Sequence, residues 1–502
     1  MKKKENKNLK NKIINIPISL LFAISTIFLI LNLIKLYNIE NLIRYTVIGI
    51  LVLLLIFLIR ALKKKNIIYK IIIILLCIIY NFLNYNFYRI YSSLDNISTI
   101  VDTKVICLVT SLEEVTNIDN ITESDIAILN ADMDSELNEF ALDLINEEGL
   151  DNILVEYDDY HQIINALLNK EVDYAFLPKN YNDIYNNSNS TEEKTELPFN
   201  IIYEEEKIIE REDSAELKNI NEPFTMLLMG TDIILDSYNA DTLLVMTVNP
   251  KTMSVTMLSI PRDTYAVIAC TGGKHKINAS GWYGDSCVVK TVEKYLDIKI
   301  DYYAKMNFQG VVSLVDKMGG IEVDVPYSFC EQNSQRQFGN NMIYVDEGFQ
   351  KLNGEQALAL SRNRHYWKDL CPSKYTTDGE RSDITRGENQ QLVIKGILNK
   401  VMTIRDLNAF YDILDTVGDN MTTNMSRETI LSFYNLGKEI VKKLNSSSVD
   451  EIININKLHF KSYSATIFLS GLNLSTIVNY EESIDYVSEE MKKNLEILKK
   501  KI

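Results

Sequence analysis

Five arginines, Arg262, Arg362, Arg364, Arg381 and Arg386, gather at the ends of secondary-structure elements in one region of an acidic chain. Arg262 follows an apolar strand directly in Ser259-Ile260-Pro261-Arg262-Asp263. Arg362 and Arg364 lie two apart at the end of an apolar helix, and Arg386 opens the next helix with Gln390 one turn on. Guanidinium groups that converge at element ends suit a multiply charged oxyanion such as phosphate or pyrophosphate, because each presents a planar, permanently charged fork of donors. Asp232 and Asp241, at the ends of the first strands of the same region, are placed to hold a hard divalent cation bridging such phosphates. One arginine alone reads as a surface ion pair; a set at matching element ends does not.

The elements that position these residues form an α/β pattern. Phe224–Met229, Thr242–Asn249 and Ser254–Ile260 are apolar runs suited to buried strands, and Ile321–Val325 is a short strand closed by Pro326. Val288–Leu296, Phe308–Met318, Asn353–Ser361 and Arg386–Met402 carry helical spacing, the second stopped by Gly319-Gly320. Upstream, strand candidates Lys104–Val109, Asp125–Leu129, Asn152–Tyr157 and Val172–Pro178 alternate with helical segments Glu136–Asn146 and Tyr160–Asn169. That alternation implies a small parallel sheet with helices packed on it. The resulting division is a membrane region over 1–95, an accessory α/β domain over 100–180 and a linker over 181–220. A core over 221–402 follows, completed by a mostly helical stretch over 403–502 with one apolar, strand-like run near Ser464–Phe468.

The first part of the chain has a different character. Three apolar runs, Ile13–Ile34, Leu42–Leu62 and Ile67–Tyr88, each approach the roughly 20 residues that cross about 30 Å of hydrocarbon. Lysines crowd before the first run and again at Lys63–Lys65. The positive-inside rule therefore places the N-terminus in the cytoplasm, and three spans place everything after Tyr88 outside a cell membrane. The formal charge of −16 belongs to the part beyond those spans, where it argues against nucleic acid as a partner. Cys77 and Cys107 sit in apolar runs. Cys270, Cys287, Cys330 and Cys371 lie in or beside loops of the exported part, where disulfides are the expected state. Four cysteines allow three pairings; Cys270–Cys287 with Cys330–Cys371 links neighbouring loops. No C-x-x-C pair occurs and the four histidines are scattered, which points away from zinc.

Several of these segments, taken in order, resemble the LytR-CpsA-Psr family of cell-wall glycopolymer transferases. They are Thr225–Asp232 (TMLLMGTD), Asp241–Pro250 with Ser254–Thr264 (DTLLVMTVNP…SVTMLSIPRDT), Lys276-Ile277-Asn278, Ile300–Val325, Leu352–Arg364 (LNGEQALALSRNR) and Asp383–Gln390. The resemblance implies an α-β-α sandwich enclosing an apolar pocket for a polyprenyl tail, with a polar mouth that grips the lipid's pyrophosphate through Mg²⁺ and arginines. It implies transfer of a polyprenyl-pyrophosphate-linked glycopolymer onto a peptidoglycan hydroxyl. By motif, Asp232 and Asp241 become the metal carboxylates, with Asp241 also assisting deprotonation of the acceptor and Arg262 beside it in catalysis. Arg262, Lys276, Arg362, Arg364, Arg386 and Gln390 become the pyrophosphate ligands, and Asp263 holds Arg262 in place. The chain departs from the family pattern at Asn239 and Asn389, where arginine is usual, and near Ile234. A lipid-binding regulator without turnover, or a pyrophosphate hydrolase of the same lipids, are the alternative readings.

Overall fold

A computed structural model of the chain describes residues 2–35, 41–62, 67–98, 100–121, 124–130, 136–188, 196–211, 221–231, 238–364, 366–376, 382–403, 413, 415–418, 420–426, 429–430, 432–433, 453–469 and 472–497. The three apolar runs are helices α1 (Lys2–Lys35), α2 (Asn41–Ala61) and α3 (Ile67–Ser98). Within them Asn15–Lys35, Leu42–Ala61 and Ile67–Ser92 are long and apolar enough to cross a membrane. A seam of polar side chains joins α1 to α3. Asn81 Nδ2 donates to Ser25 Oγ (2.8 Å), Asn84 Nδ2 to the Ser25 carbonyl (3.0 Å), and Asn32 Nδ2 to Asn84 Oδ1 (3.0 Å). Such interhelical bonds are a usual adhesive where burial of apolar surface gives no net drive.

Most of the remaining chain forms a second compact unit. It begins with β1 (Ile100–Thr110), β2 (Ile126–Leu129), α4 (Glu136–Glu148), β3 (Leu154–Tyr157), α5 (Tyr160–Leu168), β4 (Tyr174–Pro178), α6 (Tyr181–Ser188) and β5 (Asn200–Arg211). The five strands make one sheet in the order β3-β2-β4-β1-β5. Two expectations are corrected here. The sheet is mixed, because β1 runs antiparallel to both β4 and β5 while β2 is parallel to β3 and β4. The stretch 181–220 is not simply a linker: it holds α6 and the long edge strand β5. Glu204 and Glu206 of β5 point to solvent, a charged edge that discourages pairing with another chain and hides the strand from a hydropathy reading.

The core follows with β6 (Phe224–Thr231), β7 (Thr242–Asn249), β8 (Ser254–Ile260), β9 (Tyr265–Val267), β10 (Lys274–Lys276), α7 (Asp285–Leu296), β11 (Tyr302–Asn307) and α8 (Phe308–Lys317). After these come β12 (Ile321–Val325), β13 (Phe329–Glu331), β14 (Ile343–Val345), β15 (Gly348–Leu352), α9 (Gly354–Arg362) and α10 (Asp383–Thr403). Last are β16 (Met421–Thr423), β17 (Asn454–Leu458), β18 (Ser462–Leu469), β19 (Leu472–Asn479) and α11 (Glu481–Asn494). A six-stranded sheet runs β16-β11-β6-β7-β8-β17. On one face Leu227, Leu243, Val245 and Leu258 pack against Val288 and Val292 of α7 and Val487 and Met491 of α11. On the other, Leu244, Met246 and Met257 meet Ile394 of α10. This is the expected α-β-α sandwich. The mostly helical reading of 403–502 is corrected: the described residues there include four strands, β16 to β19. Of these, β16 and β17 are short, and β18 covers the apolar, strand-like run near Ser464–Phe468.

The accessory sheet and the core share one apolar cluster in which aromatic rings meet. Tyr160 stacks on Tyr283 (5.5 Å between centroids), and the His275 ring lies 4.9 Å from Trp282 and 6.4 Å from His161. Both imidazoles are driven neutral by burial, and His161 and Lys276 add to the effect at His275, whose pKa falls to about 3. An unfolded histidine titrates near 6.5, so below that pH the unfolded chain binds protons that the folded one does not, and stability falls as pH falls. Between pH 7 and 5 His275 removes about 2 kcal/mol. The melting temperature is therefore expected to drop over that window, and His275→Phe to flatten the drop. Identical pH slopes in the two proteins would show that His275 is protonated in the fold.

Candidate functional site

The ends of β7 and β8 lie side by side, since Leu243 pairs with Ile260 across the antiparallel ladder. Asp241 and Arg262 thus emerge from adjacent strands, and Arg262 Nη1 donates to Asp241 Oδ1 at 2.7 Å. The Lys276-Ile277-Asn278 segment binds these ends through its backbone. Asn278 N donates to the Arg262 carbonyl (3.2 Å), and Ala240 N donates to the Asn278 carbonyl (3.2 Å). Asp263 is a hub for cations, with Lys276 Nζ at 3.1 Å, Arg364 Nη1 at 3.7 Å and Arg262 Nε at 3.8 Å.

Two helices bring the remaining groups. Asn353 caps α9 in a reciprocal box with Gln356, and Gly354 sits so close to α8 that a Cβ there would fall 2.2 Å from the Val312 carbonyl oxygen. The Leu-Asn-Gly run therefore starts the helix and seats it, which delivers Arg362 at its end. Helix α10 approaches β8 through Gly387, where a Cβ would meet the Ser259 side chain at 2.8 Å. That contact carries Arg386 and Gln390 to the strand ends. Gln390 joins three elements: its Oε1 accepts from Ser259 Oγ (3.0 Å), and its Nε2 donates to Thr242 Oγ1 (3.0 Å) and the Ser361 carbonyl (3.4 Å).

These residues wall a polar cavity of about 250 Å³ lined by Asp241, Arg262, Arg336, Arg362, Arg364 and Arg386, with Gln390, Glu331 and Trp367. Burial alone would raise the Asp241 carboxyl, but Arg262, Arg386 and Arg336 together outweigh it and hold its pKa below the ordinary carboxylate value. Asp241 is an ionised carboxylate in a cationic basin. Burial lowers the pKa of Arg362, which nonetheless stays charged at any physiological pH. Its guanidinium lies 4.9 Å over the Phe308 ring and donates to the Asn333 carbonyl at 3.0 Å.

A second cavity of about 190 Å³ adjoins the first. Leu228, Leu244 and Ala304 of the sheet line it, opposite Val311 and Leu314 of α8 and Val393, Ile394 and Ile397 of α10. Thr242, Phe308, Ser361, Arg362 and Gln390 line both cavities. The site is thus a cationic mouth opening, through a neck at Phe308 and Gln390, onto an apolar slot between sheet and helices.

The expected set is largely brought together: Asp241, Arg262, Arg362, Arg364, Arg386 and Gln390 all line the mouth. Lys276 does not line it and acts on it only through Asp263. Asp232 and Arg381 lie outside the described residues. Asn239 and Asn389, where the family usually has arginine, turn away from the mouth. Asn239 accepts from Trp282 Nε1 (3.0 Å), and Asn389 donates to Tyr327 Oη (2.7 Å). A cation that the sequence reading missed enters from elsewhere: Arg336, in the loop after β13, places Nη2 3.8 Å from Asp241 Oδ2. Its only sequence signal is a position six residues past Cys330. Cys330–Cys371 and Cys270–Cys287 are both disulfides, the pairing favoured from the sequence, with Cys330 in β13 and Cys287 in α7.

The LytR_cpsA_psr family model matches residues 185–464, more than half of the chain. The chain belongs to the LytR_cpsA_psr family. Among curated members, the polyisoprenyl-teichoic acid–peptidoglycan teichoic acid transferase TagU of Bacillus subtilis is 38% identical over 210 residues, which cover 41% of this chain and 62% of its own length. The match thus spans under two thirds of that relative. TagU of Bacillus licheniformis is 34% identical over 236 residues, covering 47% of this chain and 70% of its own. The crystal structure of B. subtilis TagV aligns with 56% of this LytR_cpsA_psr chain and 100% of its own at 26% identity, with a TM-score of 0.45.

Proposed function

We propose that this protein is a membrane-anchored transferase that moves a glycopolymer from a polyprenyl-pyrophosphate carrier onto a peptidoglycan hydroxyl at the outer face of the cell membrane. The observation that carries this reading is the shared neck. A cationic mouth and an apolar slot with five lining residues in common match a ligand whose diphosphate is joined directly to a hydrocarbon chain. The relatives' names, which specify a polyisoprenyl-linked teichoic acid and peptidoglycan, support the same donor and acceptor. The lysines flanking α1 and α3 support an outward-facing second unit.

In this reading the acceptor oxygen forms a bond to the phosphorus next to the sugar. The bridging P–O bond on the carrier side breaks, and the carrier phosphate leaves with the electron pair and takes up the proton that the acceptor hydroxyl loses. Arg262, Arg336, Arg362 and Arg386 offset the charge that grows on the leaving phosphate. Asp241 orients Arg262 and receives charge from three guanidiniums, so it is a weak base at neutral pH and contributes through position more than through proton removal. Asp241 and Glu331 both line the mouth; Glu331 already accepts from Trp367 Nε1, Asn363 Nδ2 and the Gln332 N–H, and so sparse a carboxylate set suits magnesium, which keeps waters and shares substrate phosphates instead of filling an all-protein cage. Among the described residues Asp241 is the carboxylate that would hold it, and magnesium when bound would supply further charge neutralisation for the diphosphate.

The test is mass spectrometry of lipid extracted from the detergent-purified full chain in magnesium. A polyprenyl phosphate or pyrophosphate is expected to co-purify with the wild type. Ala304→Phe, which fills much of the apolar slot, is expected to deplete it by about tenfold or more. A wild-type protein that stays empty when offered such lipid overturns the reading.

A further inference from the structure

The loop that carries Arg336 has an unusual composition. Glu331–Asn341 reads EQNSQRQFGNN, with six carboxamides in eleven residues. Two of them are braced on a third: Asn333 Nδ2 donates to Gln337 Oε1 (3.0 Å), and Asn341 Nδ2 to the same oxygen (2.9 Å). Beside them Phe338 is 45% exposed and meets Trp367 edge to face, with centroids 5.1 Å apart. Trp367 lines the mouth next to Gln332, and its Nε1 donates to Glu331 Oε1 (3.2 Å). Its backbone has φ +41°, a value that a bulky side chain keeps only where its surroundings hold it. The Cys330–Cys371 disulfide ties the two loops together at their base.

The mouth of the site is therefore flanked, on one side, by the half-buried Trp367 ring and the exposed Phe338 ring among neutral donors and acceptors. More phosphate would call for more cations, and more lipid for a continuous apolar wall. Aromatic faces combined with carboxamides suit a ring with apolar C–H faces and a rim of hydroxyls, which is a pyranose. We propose that Trp367, Phe338 and the carboxamides of the 332–341 loop form a sugar subsite for the first pyranose attached to the diphosphate. The proposal rests on reading the mouth as the diphosphate site.

The test compares two soluble probes on the full chain in detergent: geranyl diphosphate and geranyl diphosphate carrying one N-acetylglucosamine. In the wild type the sugar is expected to tighten binding by about tenfold, as measured by calorimetry. It is also expected to change tryptophan emission, a change lost in Trp367→Phe because the other tryptophan, Trp282, is only 2% exposed. The ratio of the two dissociation constants is expected to fall toward one in Trp367→Leu and in Phe338→Ala. The exposed Phe338 position keeps the test valid should the Trp367 variant lose its loop. A ratio of one in the wild type, or a tenfold ratio unchanged in both variants, overturns the subsite and leaves the diphosphate reading standing. Failure of geranyl diphosphate itself to bind overturns both.

Discussion

Arg262→Ala is expected to lower transfer onto peptidoglycan by about 10³-fold, mainly in kcat, when the purified protein is assayed with a polyprenyl-pyrophosphate-linked donor. The size of the effect follows from two losses at once. The guanidinium at 2.7 Å from Asp241 no longer offsets charge on the leaving phosphate, and Asp241 loses the cation that most lowers its pKa. The carboxylate that remains then repels the phosphates it was arranged to serve. Arg262→Lys recovers only part of the rate, because an ammonium cannot reach Asp241, Asp263 and a phosphate in one plane. Lys276→Ala, one residue removed from the mouth, should cost no more than about tenfold. A loss of less than tenfold in Arg262→Ala would remove this residue from the chemistry.

Opening the Cys330–Cys371 disulfide, as the paired serine variant, is expected to cost about 4 kcal/mol by the loop-entropy relation, at a sequence separation of 41. Cys270–Cys287, with a separation of 17, gives about 3 kcal/mol by the same relation. The two differ in place more than in size. Cys270 and Cys287 belong to the apolar cluster between accessory sheet and core. Cys330 directly precedes Glu331, a wall of the mouth, and its partner lies four residues past Trp367. Well below the melting temperature, transfer should fall severalfold in the Cys330 pair and stay near wild type in the Cys270 pair. Equal activity in both would show that Arg336 and Trp367 keep their places without the crosslink.

Much of this was legible in the sequence because the responsible signals are local and strong. Strands β6 to β8 are nearly continuous apolar runs, Arg262 follows the end of β8 across Pro261, Arg362 closes α9 and Arg386 lies in the first turn of α10. Arg336 was not legible, since a loop arginine reaches a site by tertiary closure and no periodicity announces it. Strand β5 escaped because its glutamates mimic a solvated linker. The parallel reading of the accessory sheet failed between β1 and β2: a parallel connection needs a crossover, and among the described residues there a short turn of 3-10 helix stands in place of an α-helix. Asn239 and Asn389 read as lost cations by motif, yet their side chains are occupied with Trp282 and Tyr327, inside the fold.

The seam between α1 and α3 bears on what an anchor of this kind is. Ser25, Asn32, Asn81 and Asn84 satisfy one another across two helices, and hydrocarbon offers these amides no other partner. The anchor therefore behaves as a small folded body in its own right, not as three interchangeable tethers. A chain pared down to α1 would carry Asn32 into lipid without its complement, and two such copies would satisfy each other by dimerising. The third helix thus supplies, within one chain, the partner that Asn32 needs.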